Sequence, residues 1–341
     1  MAISPFVEAM RAARGLAGIN VRTGENVLLL SSGDQDEALH DALAAACEEA
    51  GAGTVTALVL GPPASRATYR HPAPALAAAR AADLTIVATS IAFPRAYDDM
   101  TEAILSAGRR LVLINNAPMP DFCRGAALVD AQKLLDDTRR VAQAVSNARQ
   151  VRVRSAAGTD LTVGVCRPCM VLTGYADDEC GFGSYPSGEA MLSPAEGTAE
   201  GVFVADDYGQ VVYISGSGPQ LGLLADPIRL HFKAGRLTKL EGNVARRQLE
   251  AIMAAADDNV NLLGELGIGT NPFARPIAHV ENKFRIGTVH IALGDNHLIG
   301  WRAAAKYGGT IVCGRHIDLV SGGVEVDVDG KPLIRNAAIV P

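Results

Sequence analysis

The second half of the chain contains a histidine and a carboxylate whose spacing suits metal binding. His316 and Asp318 lie two positions apart in the mostly apolar stretch of residues 311–320. On a β-strand, residues i and i+2 point to the same face, so this imidazole and this carboxylate would project together. Two polar groups on one face of an apolar strand need partners. A divalent metal ion would be a partner for both, and a hydrogen-bonded core histidine is the competing interpretation.

Further histidines and carboxylates lie in comparable surroundings. His290 is part of the sequence GTVHIALGDN, and His297 follows directly after it. Glu189 lies in YPSGEAM, and Glu265 lies in LLGELGIG. Spacing alone does not connect these glutamates with the histidines. Residue types alone therefore leave both a metal site and a purely structural role open.

Two other familiar motifs carry little weight. The first predicted strand ends in SSGD, and neither a GxxxxGK[ST] nor a GxGxxG phosphate-binding motif follows it. Cys166 and Cys169 form a CxxC, but neither a second cysteine pair nor a helix start accompanies them. We therefore expect these two cysteines to fill apolar space.

Short apolar runs alternate with helical stretches over the first 150 residues, which is typical of a parallel sheet built from βαβ units. The predicted strands are Val27–Ser31, Thr54–Leu60, Leu84–Thr89 and Leu111–Asn115, and the predicted helices are Asp36–Ala50, Pro74–Ala82, Asp99–Ala107 and Ala131–Ala148. The sequence therefore predicts an α/β fold that starts with a three-layer, parallel-sheet domain.

The pattern changes near residue 151, where hairpins replace the alternation. Val151–Arg154 and Asp160–Val165 flank a short AAGT turn, and Ile228–Lys233 and Arg236–Glu241 flank Ala-Gly. A third hairpin is centred on Asp-Gly at residues 329–330, which is a strong turn signal. We therefore expect a domain at residues 1–150 and a mixed α+β, largely antiparallel, metal-binding catalytic domain at residues 151–341.

Composition narrows the function classes. Lys and Arg total 31 and Asp and Glu total 37, so the net charge is −6, without the basic footprint of a nucleic-acid-binding protein. No apolar run approaches the roughly 18 residues of a membrane-spanning helix, and no signal-peptide core is visible. We therefore expect a cytoplasmic protein with reduced thiols and with neither a nucleic-acid nor a membrane partner.

Several segments together resemble the aminopeptidase T family of metallo-aminopeptidases. They are GEAMLSP from residue 188, GELGIGTNP from residue 264, ENK from residue 281, GTVHIALGDN from residue 287 and HID from residue 316. The resemblance covers about residues 189–341 and implies a homodimer with two divalent ions, zinc, cobalt or manganese. It implies five metal ligands, one of them a bridging carboxylate: Glu189, Glu265, His290, His316 and Asp318.

The chain departs from these peptidases at one position. The family has a catalytic tyrosine seven positions after its first histidine ligand, and this chain has His297 there. An imidazole can still donate a hydrogen bond to a developing oxyanion, so we expect His297 to be catalytic together with Glu189. Tyr307 is the alternative replacement for the tyrosine. Glu179 and Glu281 are the candidates for contacting the substrate.

The chain also resembles a related group with the same fold, the 2,5-dihydroxypyridine 5,6-dioxygenases, which hold one iron(II) ion through two histidines and an aspartate. His290, His316 and Asp318 could form such a facial triad. Against this alternative, those enzymes have a histidine where this chain has Glu265.

The presence of both glutamates favours a metal-dependent hydrolase of the aminopeptidase T type, which cleaves a short peptide or a related small amide with a metal-activated water. The alternative is an iron(II) ring-cleaving dioxygenase acting on a hydroxylated pyridine. A non-catalytic metal-binding protein is the third interpretation.

Overall fold

The computed structural model describes residues 4–65, 68–90, 97–115, 122–214, 217–276 and 280–340. The chain divides into two compact units. The first comprises Met1–Leu135 with Leu172–Ser187, and the second comprises Asp136–Val171 with Gly188–Pro341. This division differs from the predicted boundary at residue 150, because the segment Leu172–Ser187 belongs to the first unit.

The helices of the described residues lie in both units. They are α1 Pro5–Asn20, α2 Glu37–Glu49, α3 Ala73–Ala81, α4 Asp99–Ser106, α5 Ala131–Ser146, α6 Val244–Ala254, α7 Glu281–Phe284 and α8 Ala304–Tyr307, with 3₁₀ turns at Gly125–Leu128, Asp258–Asn261 and Trp301–Ala303. None of these helices is long and apolar enough to cross a membrane.

The strands of the described residues form three sheets. In chain order they are β1 Asn26–Ser32, β2 Thr54–Leu60, β3 Leu84–Ala88, β4 Arg110–Ile114, β5 Gln150–Ser155, β6 Asp160–Gly164, β7 Met170–Leu172, β8 Phe182–Tyr185, β9 Glu189–Leu192, β10 Glu200–Ala205, β11 Tyr208–Tyr213, β12 Gly222–Leu223, β13 Ile228–Lys233, β14 Arg236–Glu241, β15 Leu263–Gly269, β16 Val289–Gly294, β17 Arg315–Ser321, β18 Val324–Val328, β19 Lys331–Arg335 and β20 Ala338–Ile339.

The first unit is built on a parallel sheet with strand order β2-β1-β3-β4-β8. Its central strands β3 and β4 are buried along their whole length, which agrees with the continuously apolar runs in the sequence. Leu29, Ile86 and Val112 pack with the inner faces of α1 and α2 in one core. The predicted parallel sheet is confirmed, and the sequence analysis missed β8 at its edge.

The second unit contains an eight-stranded sheet, β14-β13-β10-β6-β5-β18-β19-β20, and a seven-stranded sheet, β12-β11-β17-β16-β15-β9-β7. The predicted hairpins form antiparallel pairs: β5 with β6, β13 with β14, and β18 with β19. Apolar residues of both sheets, among them Phe203, Leu266, Ile291 and Ile317, share one core. The predicted α/β fold class, with parallel and antiparallel parts, is confirmed.

Candidate metal centre

One face of the seven-stranded sheet carries the charged residues that the sequence singled out. Its antiparallel register places Glu189 opposite Gly269, His290 opposite Gly267, Glu265 opposite Ala292, Asp318 also opposite Ala292 on the other side, and His316 opposite Gly294. Directly paired residues point to the same face of a sheet, so these charged side chains share a face with small residues. The other face of the same strands carries the apolar residues of the core.

Gly267 makes room for the His290 imidazole. A Cβ atom at position 267 would lie 1.9 Å from Cε1 of His290, which no packing could accommodate. Upstream, the register shifts between Leu263 and Glu265, so Gly264 forms a bulge that re-aims the following side chain. The glycine-rich sequence around Glu265 therefore has a local purpose, because it admits one imidazole and turns one carboxylate toward it.

Glu265, His316 and Asp318 form the first group of potential ligands, with one donor atom from each within 4.8 Å of the others. His316 Nε2 lies 3.0 Å from Asp318 Oδ1 and 3.3 Å from Glu265 Oε2. The carboxylates are about 1% exposed, and the imidazole of His316 is nearly as deeply buried. Separations of this size between donor atoms fit neighbouring ligands around one ion at about 2.0–2.2 Å from each.

A second group shares Glu265 with the first and adds His290 and Glu189. His290 Nε2 lies 2.8 Å from Glu265 Oε1 and 3.5 Å from Glu189 Oε2. All three residues are at most 1% exposed. Glu265 is therefore the residue common to both groups, which is the place a bridging carboxylate would take.

Several buried polar atoms of this cluster have no hydrogen-bond partner among the described residues. They are both carboxylate oxygens of Glu189, Oδ1 of Asp318 and Nδ1 of His290. Buried carboxylate oxygens without a donor are costly. A divalent ion would give these carboxylate oxygens a partner, and the donor set of imidazoles and carboxylates suits iron, manganese or zinc.

The backbone orients the His316 imidazole. Its Nδ1 lies 2.6 Å from the carbonyl oxygen of Asp295, so Nδ1–H is the donor and the lone pair of Nε2 points at the carboxylates. The Asp295 carboxylate in turn accepts hydrogen bonds from the Cys313 amide at 3.0 Å and pairs with His297 Nδ1 at 2.6 Å. Asp295 thereby links the orientation of one predicted ligand to His297.

Lys283 enters the cluster from α7. Its Nζ lies 3.0 Å from Asp318 Oδ2 and 3.7 Å from Glu189 Oε1, and the residue is 9% exposed. Burial would lower the pKa of this amine, but the charges of Asp318 and Glu189 raise it above its usual value. Imidazoles bind a metal ion in the neutral form, and in that form of the site the three carboxylates and this ammonium leave a net charge of −2, which one divalent ion cancels.

The pKa values in the cluster follow from burial opposed by charge. Burial alone would raise the pKa of Glu265, but hydrogen bonds from His290 and His316 lower it to about 2. Burial raises the pKa of Glu189 in spite of the nearby Lys283 ammonium. Burial would lower the pKa of His316, yet the Asp318 carboxylate raises it well above the usual value. The surroundings therefore favour positive charge where His316, Glu265 and Asp318 meet.

The other predicted site residues have their own described surroundings. His297 pairs with Asp295, and its side chain is 34% exposed. Glu281 is buried on α7 and accepts a hydrogen bond from the Arg275 amide at 2.8 Å. Tyr307 lies at the end of α8, where Lys306 covers its ring. Glu179 belongs to the first unit.

Sequence reasoning missed Lys283, Asp295 and Tyr208. Lys283 lies within the ENK segment that contributed to the family resemblance. Its burial could have been suspected only from the buried strand β16 that comes shortly after it. Asp295 acts through its backbone carbonyl as well as its carboxylate, and a carbonyl leaves no trace in a sequence. Tyr208 comes close to Asp318 through strand pairing, which local sequence does not specify.

Comparisons with known proteins agree with the resemblance predicted from the motifs. The family model described as 2,5-dihydroxypyridine 5,6-dioxygenase (NicX) matches residues 7–341. A curated 2,5-dihydroxypyridine 5,6-dioxygenase from Pseudomonas putida is 26% identical over 247 residues, which cover 70% of this chain and 67% of that protein.

Two solved structures share the fold over nearly the whole chain. The 2,5-dihydroxypyridine dioxygenase from Pseudomonas putida KT2440 has a TM-score of 0.74 at 20% identity and covers 99% of this chain and 98% of its own. Wild-type AmpT from Thermus thermophilus has a TM-score of 0.61 at 17% identity and covers 98% of this chain and 100% of its own. At these identities the likeness concerns the fold alone.

Proposed function

This chain belongs to the 2,5-dihydroxypyridine 5,6-dioxygenase family, and from that membership we propose that it is an iron(II)-dependent dioxygenase that opens the ring of a hydroxylated pyridine. The substrate is then a small molecule. The relative from Pseudomonas putida named for this activity supports the proposal, because it aligns with 70% of the chain. The hydrolase favoured by the sequence motifs takes second place.

The observation that carries the proposal is the group of Glu265, His316 and Asp318 beside Lys283. One imidazole and two carboxylates are donors suited to iron(II) or manganese(II). The expected triad of His290, His316 and Asp318 differs from this group, because His290 lies with Glu189 and Glu265. An iron(II) ion held by the group would supply the redox chemistry through which the ring and molecular oxygen react.

The residues around this group have separable tasks in the proposal. Asp295 fixes the tautomer of His316 through its carbonyl oxygen, so Nε2 stays available as a donor atom. Lys283 donates a hydrogen bond to Asp318 and so fixes one carboxylate oxygen while the other remains uncommitted.

Glu189 is the proposed acid–base residue. Both of its oxygens lack hydrogen bonds to described residues, and burial raises the pKa of this carboxyl. A carboxylate in such surroundings can accept a proton from a ring hydroxyl and hold it. The neighbouring Lys283 ammonium, 3.7 Å from Oε1, stabilises the charged form before the proton arrives.

The second candidate function is a two-ion hydrolase of the aminopeptidase T type. The observation that favours it is the position of Glu265, which belongs to both ligand groups and could bridge two ions. The Lys283 ammonium weakens the case for a second ion, because it already provides a counter-charge for Glu189.

Two assays separate the candidates. Iron(II)-loaded protein is mixed with 2,5-dihydroxypyridine in an oxygen electrode, and zinc-, cobalt- or manganese-loaded protein is mixed with leucine p-nitroanilide under argon. The proposal predicts oxygen uptake that matches the loss of the ring and no release of p-nitroaniline. Oxygen-independent release of p-nitroaniline without oxygen uptake on the pyridine would overturn it.

The variant pair Glu265→His and Glu265→Gln sharpens the test. Histidine at position 265 would give the set of two histidines and one aspartate that the motif resemblance implies for the dioxygenases. We expect Glu265→His to keep oxygen-dependent activity and Glu265→Gln to lose it. A bridging carboxylate between two ions predicts loss in both variants.

A further inference from the structure

Strand β11 continues the charged face of the seven-stranded sheet beyond β17. It pairs with β17 so that Gln210 lies opposite Asp318 and Val212 lies opposite His316. Tyr208 is two residues before Gln210, so its side chain points to the same face. The burial of β11 alternates, with Gly209 and Val211 buried and their neighbours partly exposed. Within the second unit, β11 therefore borders the buried charged cluster with half-exposed side chains.

The polar groups of Tyr208 and Gln210 are uncommitted. Neither the phenol hydroxyl nor the side-chain amide makes a hydrogen bond to any described residue. Both residues are partly exposed, and their polar atoms are not among the fully buried atoms that lack a partner. Tyr213, on the same strand, is different because its hydroxyl donates to the Pro219 carbonyl at 2.7 Å. One strand thus carries one tyrosine that is fixed by the protein and one whose hydroxyl remains free.

Electrostatics agree that the Tyr208 hydroxyl lies near the cluster. Burial raises the pKa of this phenol, and the Asp318 carboxylate raises it further, while the Lys283 ammonium opposes both. The phenol is therefore a neutral O–H donor at neutral pH that lies within electrostatic reach of a proposed metal ligand.

We propose that Tyr208 and Gln210 are the substrate-orienting residues of this site, with the Tyr208 hydroxyl contacting an oxygen of a hydroxylated N-heterocycle beside Asp318. A dihydroxypyridine carries two hydroxyl oxygens on its ring and one nitrogen within the ring. A phenol hydroxyl can donate to an oxygen, and a carboxamide can donate to or accept from the nitrogen edge. A few polar groups placed in this way fix the orientation of a small aromatic ring. The inference rests on the proposed substrate class.

Tyr208→Phe tests the inference. Tyr213→Phe is the matched control, because it removes a hydroxyl from the same strand whose hydrogen bond goes to the Pro219 carbonyl. The dissociation constant of 2,5-dihydroxypyridine is measured by calorimetry on iron(II)-loaded protein without oxygen, and kcat/KM is measured with oxygen. We expect Tyr208→Phe to weaken binding and lower kcat/KM about tenfold, the usual effect of one hydrogen bond to a ligand. Metal content stays at the wild-type value in both variants, and Tyr213→Phe binds like wild type.

The outcomes separate this inference from the proposed function. Wild-type affinity and kcat/KM in Tyr208→Phe overturn the inference, and so does a loss of iron, which would make Tyr208 a support of the ligands. Weaker ring binding in Tyr208→Phe, with no oxygen uptake by wild type, supports the inference and overturns the proposed reaction. A wild-type protein that does not bind the ring overturns the substrate class and this inference with it.

Discussion

Two buried charged clusters of the described residues differ in how completely their charges are paired. In the first unit, the Arg110 guanidinium is 3% exposed and binds both carboxylate oxygens of Glu25 at 2.6 and 2.5 Å. Its other amino group donates to the carbonyl of Asn20 at 2.8 Å. In the second unit, three buried carboxylates share a single ammonium, and several of their oxygens have no described donor.

This difference distinguishes a structural ion pair from a candidate functional site. A buried ion pair with matched charges and satisfied hydrogen bonds needs no ligand to balance its charge, so a structural role accounts for it. A cluster with excess negative charge and orphaned oxygens is costly to bury unless a cation or bound protons neutralise it. The cluster in the second unit therefore points to a metal ion, and the Arg110–Glu25 pair does not.

Replacing His316 is expected to have the largest effect. His316→Ala removes the imidazole that joins Glu265 and Asp318, so metal binding and turnover should both be abolished. Elemental analysis of protein purified without chelators measures this. His231→Ala is the control, because His231 lies in the second unit, pairs with Glu241 at 3.6 Å and belongs to no group of potential ligands among the described residues. Full metal occupancy in His316→Ala would contradict the account.

Removing the cation of either buried cluster should destabilise the protein by a similar amount. The two variants should differ in how far metal offsets that destabilisation. Lys283→Met and Arg110→Met each leave carboxylates without their counter-charge, so each should lower the free energy of unfolding by about 3–5 kcal/mol without metal. Each loss is measured against wild type at the same metal concentration. On that basis, saturating metal should reduce the loss of Lys283→Met and leave the loss of Arg110→Met unchanged. Urea unfolding with chelator and with metal measures both, and an identical metal response would erase the contrast between the clusters.

If the chain is the two-ion hydrolase, His297→Ala should reduce kcat by about 10²–10³, the cost of losing one hydrogen-bond donor to a developing oxyanion, whereas the proposed dioxygenase predicts turnover close to wild type. Its metal content should remain that of wild type, because the Asp295 carbonyl still orients His316. Single-turnover kinetics together with elemental analysis test this. Wild-type turnover would make His297 a loop residue that merely pairs with Asp295.

Gly267→Ala is expected to have the smallest effect of the series. The new methyl group would displace the His290 imidazole and with it the 2.8 Å contact of that imidazole with Glu265. We expect metal affinity to fall about 10–100-fold, as for other changes that disturb the orientation of a ligand. Competition with a chromogenic chelator measures the affinity. An unchanged affinity would mean that His290 has no part in binding the ion.

The regular elements could be predicted from the sequence wherever one periodicity dominates. The run Thr54–Leu60 and the hairpin of Ile228–Lys233 with Arg236–Glu241 have their predicted bounds. Strand β8, Phe182–Tyr185, was missed because Gly183 and Ser184 interrupt its apolar pattern. Its pairing with β4 is non-local, so no local signal could assign the surrounding segment to the first unit.

In the candidate site, too, local patterns could be predicted and non-local contacts could not. The pair of His316 and Asp318 could be predicted from its spacing on one strand, but Glu189, Glu265 and His290 were connected with that pair only by a family resemblance. The register of β9, β15, β16 and β17 brings them to one face, and register is a tertiary property. Lys283 escaped notice because lysines are rarely buried unless they are paired, and its pairing with Asp318 exists only in the folded chain.

The most direct test of the central claim is the fate of molecular oxygen. Iron(II)-loaded protein is incubated with 2,5-dihydroxypyridine under ¹⁸O₂, and the product is analysed by mass spectrometry. The account predicts a ring-opened product that contains both ¹⁸O atoms, with none formed by His316→Ala. A product that takes its oxygen only from water, or turnover that proceeds equally well under argon, would contradict it.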